Sequence, residues 1–150
     1  MKKKYCVIAN IVLLSWYFLD MIGVYLGNKY LVTRSYKDDW IFMIIPLIAF
    51  IIFLSKEKIG RYIIIVWLVM WLITQFLSHE WYTIFGSGFM GRMEGKVEYF
   101  RGAIKFYNSK TVYIPDVYHT ILHVLIIVTL VITIIYSVGK KKRDNSQFTE

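Results

Sequence analysis

One cysteine, Cys6, occurs in 150 residues, so no disulfide forms within the chain and cysteine usage carries no record of an oxidising compartment. It lies just inside an apolar segment, where a small inert residue fits. Proline occurs twice: Pro46 is expected to kink the helix around it, and Pro115 suits the first turn of another. Acidic residues are few, 10 against 18 Lys and Arg, which leaves a formal charge of +8. That excess flanks apolar segments and lines no single stripe, which argues against nucleic acid as a partner and for charge that sets membrane topology. Motifs are missing as well. No small-x-small cleavage pattern follows the first apolar run, which therefore reads as an uncleaved anchor. Phe85 to Gly91 is glycine-rich but lacks the strand and the Lys-Ser/Thr of a phosphate loop. No internal repeat is visible, so an inverted-repeat transporter has little support.

What the chain does have is apolar length. Its residues are 57% hydrophobic, more than the core of a soluble domain of this size needs. Four segments, at about 5–26, 40–55, 61–80 and 116–138, alternate with short charged stretches. The expectation is an all-α integral membrane protein, a four-transmembrane-helix bundle in a single domain, 1–150. The second segment spans only ~22 Å, short of a ~30 Å hydrocarbon core, so it leans on Lys37, Trp40 and Lys56 at its flanks, or else forms a re-entrant hairpin. Basic residues are dense at 2–4, at Lys56, Lys58 and Arg61, and at 140–143, and sparser in the other loops. Both termini are therefore expected in the cytoplasm, with a basic tail at 139–150 and an extracytoplasmic loop at 78–115. High Ile, Lys, Tyr and Phe usage points to an AT-rich genome, and hence to the plasma membrane of a low-GC bacterium.

Within the long loop, Met93, Val97, Phe100, Ile104 and Tyr107 recur at helical spacing. They predict an amphipathic surface helix over 92–107, with those five residues as an interaction face. Trp67 and Trp71 lie too deep for the aromatic belt and read as bundle packing, with an aromatic wall for an apolar ligand as the alternative. Gly23 and Gly27 form a G-x-x-x-G that would permit a close helix crossing.

Chemistry is expected in one band. Asp116, His119 and His123 share a face of the fourth helix. Counted by helical rise, Asp20, His79, Glu80 and His123 stand at matching depths, ~24 to 28 Å from the basic boundary. A carboxylate in lipid needs a partner, and imidazole is the natural one, so Asp20 and His123 are expected to meet. The cluster Asp20, His79, Glu80, Asp116, His119 and His123 reads first as interfacial polar residues. Among its functional readings is a divalent-metal site on His119, His123 and Asp116, although no cofactor is the primary expectation and the His-Glu-x-x-His zinc motif is missing.

Three functions follow from different classes. The preferred one is a non-enzymatic accessory, regulatory or protective membrane subunit, with the bilayer and either a membrane protein or a second copy as partners. The alternative is an outer-leaflet enzyme, metal-dependent or not, acting on a lipid or lipid-linked substrate. It requires at least three of the ionisable groups to converge. An oligomeric ion or solute carrier is the third, and it is poorly served by the apolar inner halves of the helices.

Overall fold

The protein is described here by a computed structural model covering residues 1–88, 91–109 and 112–146, with backbone only for 142–146. Part of the glycine-rich turn and the last four residues of the basic tail lie outside the described residues.

Helix α1, Lys3–Ile22, is 20 residues long, ~30 Å, and ends where Gly23 turns the chain at φ 73°. A hairpin follows, β1 Val24–Leu26 and β2 Lys29–Val32, an addition to the all-α expectation. Its two-residue turn, Gly27-Asn28, has positive φ at glycine alone, the requirement of a type II′ turn. Both glycines of the G-x-x-x-G therefore lie beyond the helix and make no helix crossing.

Helix α2 runs Tyr36–Ser55 and continues through Pro46. It starts four residues before Trp40, with Asp38 and Asp39 in its first turn, where the helix dipole favours carboxylates. At 20 residues it is long enough to span, which corrects the short 40–55 reading. Helix α3, Glu57–Gln75, passes through a π turn, Phe76–Glu80, into α4, Trp81–Phe85. Helix α6, Val117–Ser146, extends well past position 138. Among the described residues, four helical stretches are long and apolar enough to cross a membrane, and the chain is mostly helical.

The amphipathic surface helix shrinks to α5, Met93–Tyr99. Beyond it, after a last turn in which Ala103 N–H donates to the Phe100 carbonyl, Tyr30 N–H donates to the Gly102 carbonyl (3.2 Å) and Ile104 N–H to the Tyr30 carbonyl (2.9 Å), so this backbone pairs with β2. Phe100 and Ala103 are consequently buried. The five-residue face is thereby split, with Phe100 turned inward and Val97 and Tyr107 exposed.

Packing closes a ring: α1 meets α2 and α6, and α3 meets the same two. Contacts at the two ends show that neighbours alternate in direction. Lys3 reaches Glu57, while Ser35 reaches Asp20. The core is a stripe on each helix, such as Tyr118, Leu122, Ile126, Thr129 and Thr133 of α6, at the spacing of one helical face. The opposite faces, with Ile41, Ile51, Val66 and Val131, are apolar and about half exposed, as surfaces for lipid are.

Candidate functional site

The site lies where α3 passes into α4. The Trp81 N–H donates to the Phe76 carbonyl five residues back, and this wide π turn sets neighbouring side chains closer in angle than the ~100° of an α-helix. His79 and Glu80, adjacent in sequence, both face α6 as a result.

Asp116 begins the opposite wall. It precedes the first residue of α6, and its Oδ1 accepts the His119 backbone N–H at 3.0 Å, the bond of a helix N-cap. Its Oδ2 meets His119 Nδ1 at 2.7 Å, while Thr120 Oγ1 donates to its carbonyl at 2.8 Å. One carboxylate thus starts the helix and fixes an imidazole one turn on.

His79, only 4% exposed, stacks on His119 with ring centroids 4.1 Å apart and planes 25° from parallel. Phe100 sets its edge against both rings. The Tyr113 hydroxyl sits 3.3 Å from His79 Nδ1, and burial, reinforced by Asp116 and Glu80, pushes that phenol's pKa up. His79, Asp116 and His119 each present one donor atom, all within 4.8 Å of one another. Donors around a tetrahedral cation at ~2.0–2.1 Å stand ~3.4 Å apart, a separation of the same scale as this grouping.

The remaining residues of the expected cluster divide. His123 Nδ1 meets Glu80 Oε1 at 2.7 Å, and Glu80 Oε2 is buried with no hydrogen-bond partner among the described residues. Asp20 is bonded by the Ser35 hydroxyl, whose backbone N–H also donates to the Asp20 carbonyl. Asp20 and His123 are therefore not partners, because the turn into α2 and the π turn each supply a closer group. In the metal set, His79 takes the place assigned to His123.

His79, Asp116, His119, Asp20 and Ser35 border a cavity of about 370 Å³, whose lining does not include Glu80 or His123. One end carries His79, Asp116, His119 and Lys96, with Asp20 and Asp39 on the same lining. Phe42, Trp67, Met70 and Trp71 form its apolar part, and Trp71 also packs edge-on against Tyr17, as bundle packing requires. Trp67 Nε1 and Gln75 Oε1 are buried here without partners among the described residues. Lys96 Nζ lies 5.1 Å from the Phe100 ring and 5.4 Å from the Tyr82 ring. Burial lowers its ammonium below the ordinary 10.5, against the opposing pull of Asp116 and Glu80.

Sequence reasoning passed over Tyr113, Lys96 and Ser35. The hairpin that helps hold the cap had a readable signal in Gly27-Asn28 between Val24-Tyr25-Leu26 and Lys29-Tyr30-Leu31-Val32. Lys96 and Tyr113 had none, since only the fold brings them to the imidazoles. Compared with protein-family models, curated proteins and solved structures, the chain matches none.

Proposed function

We propose that the chain is a metal-dependent enzyme of the outer membrane leaflet, acting on a lipid or lipid-linked substrate, with His79, Asp116 and His119 holding one divalent transition metal. The observation that carries this reading is the convergence of those three donors at the polar end of a cavity whose other end is apolar. Two imidazoles and a carboxylate with a fourth position open is the donor set of catalytic zinc. When bound, such a cation polarises a carbonyl or phosphoryl oxygen and lowers the pKa of a bound water.

The chain's own residues have separable tasks. Tyr113, on His79 Nδ1, leaves the other ring nitrogen to face the ion. Asp116 Oδ2, which meets His119 Nδ1, would turn from the ring to the ion, while its Oδ1 keeps the helix cap. Glu80 and His123 supply an acid/base pair on the same two helices. Lys96 offers a cation to an anionic headgroup. The density of basic residues near the termini and at 56–61 supports a cytoplasmic position for both termini, and so an outer position for the site.

Elemental analysis of detergent-purified protein tests the proposal. About one zinc, manganese or other transition ion per chain is expected, lost in His79→Ala/His119→Ala. Metal-free wild type that stays metal-free after incubation with zinc would sink the reading. The accessory-subunit reading retains its own observation, the exposed Val97, Tyr99, Phe106 and Tyr107 on the cap. It expects substitution there to matter more than loss of the histidines.

A further inference from the structure

A second hollow, of about 470 Å³, runs along the α2–α3 pair. Its walls are Ile45, Ile48 and Ile52 on one side and Ile63 and Val66 on the other, with buried Ala49 as its small-residue floor. Trp67 and Met70 line both this hollow and the site cavity, so the two meet there as one trough. Polar side chains gather at its His79 end, while the α2–α3 stretch is apolar down to Tyr62. From His79 to Tyr62 the trough follows the helix for ~25 Å, against ~15 Å for half of a ~30 Å hydrocarbon core.

Resting on the reading of His79, Asp116 and His119 as the reaction centre, we propose that this trough holds the substrate's tail, and that the substrate is a single-chain lipid whose tail is longer than one leaflet is deep. That is the property of a polyprenyl carrier and not of a diacyl lipid. The polar head then rests at the imidazoles beside Lys96, and the chain passes Trp67 and Met70 to lie over Ala49. Continuity with the polar site separates this hollow from an ordinary lipid-facing groove. A chain entering here passes from apolar walls to the polar lining of Thr74, Gln75 and Ser78 just before the donor set.

The test uses full-length protein in nanodiscs with two probes, each carrying a diazirine at the far end of a chain: a polyprenyl phosphate and a diacyl phosphatidylglycerol. After irradiation, labelled residues are mapped by mass spectrometry, with the lipid-facing side of α6 at Val124, Val131 and Ile135 as the internal reference. Expected is labelling by the polyprenyl probe over 45–52 and 62–66 several-fold above that reference, reduced to the reference level by Val66→Trp and by Ala49→Phe. Val66 is more than half exposed, so its replacement plugs the rim without disturbing the core. Groove labelling no higher than that of α6 overturns the tail path, and equal groove labelling by the diacyl probe overturns the chain-length assignment. Metal content measured on the same preparations separates the two readings. Enriched labelling without metal upholds the tail path and removes the reaction centre, whereas one metal per chain without enrichment does the reverse.

Discussion

Ionisable groups gather at both ends of the helix ring, and the two gatherings are built differently. At the end carrying Lys3, opposite charges meet: Lys3 lies 3.3 Å from Glu57, and Tyr136 donates its hydroxyl to the same carboxylate, while Arg61 Nε and Ser137 Oγ are buried there without hydrogen-bond partners among the described residues. Lys3 also reaches the Leu54 carbonyl, so the pair ties α1 to the α2–α3 turn. At the hairpin end, two imidazoles stack against each other beside one carboxylate and border a cavity. Opposite charges in contact complete themselves and serve the fold. Beside the hollow, Trp67 Nε1 and Gln75 Oε1 are buried without partners among the described residues, and a bound polar group would complete them.

Substitutions sharpen or break that contrast. The largest effect on stability is expected at Gly60, in the Lys3 half of the bundle, where an added Cβ would lie 2.2 Å from the Phe53 Cα. Gly60→Val forces α2 and α3 apart and costs roughly 3 kcal/mol, read as a large drop in midpoint in thermal unfolding of the detergent-purified protein. A normal midpoint would mean that the helices are not in close contact there.

Next comes Asp116, which joins fold and site in one side chain. Asn caps helices as well as Asp, so Asp116→Asn should leave the unfolding midpoint nearly unchanged while metal affinity falls about 10- to 100-fold. Asp116→Ala should add a stability loss of about 1 kcal/mol. Equal metal affinity in wild type and the Asn variant, by competition with a chelating dye, would reduce Asp116 to a cap.

Tyr113→Phe should weaken metal binding by up to about 10-fold in the same titration, because His79 loses the partner that orients its ring. Glu57→Gln is the matching change at the other end. It should leave metal binding untouched and cost at most about 1 kcal/mol, since Glu57 and Lys3 are partly solvated. A change in metal content there would erase the division between the two ends.

The smallest effect concerns pH. Lys96 is held below 10.5 in the fold and returns to that value when unfolded, so between the two the unfolded chain binds more protons. Stability should therefore rise as pH climbs through that window and level off above it. Lys96→Met should flatten the rise, measured by unfolding midpoints across the alkaline range.

Much of this architecture was legible in the order of residues. Apolar runs bounded by charge gave four helices long and apolar enough to span, because lipid requires an apolar face and satisfied backbone on every crossing. The start of the fourth helix was legible to within a residue: read from 116 with Pro115 in its first turn, that helix starts at Val117 with Asp116 as its cap and Pro115 outside, and the approach of Asp116 to His119 follows from their spacing. Boundaries elsewhere were less legible. The surface helix was read to 107 because Met93, Val97, Phe100, Ile104 and Tyr107 keep helical period, but the Gly102 carbonyl and the Ile104 N–H bond to Tyr30. Periodicity says which side chains share a face only if the backbone bonds to itself.

Level along each helix was therefore legible in the sequence, since rise per residue varies little outside the π turn. Partnership was not. Whether His123 would meet Asp20 or Glu80 turned on the π turn at Phe76–Glu80 and on Ser35 reaching Asp20, neither of which helical spacing predicts. Residue types placed a band of carboxylates and imidazoles at one level. Only the packing of α3 against α6 chose three of them to stand within 4.8 Å, because convergence depends on how helices rotate about their own axes, and that rotation is set by contacts far apart in the chain.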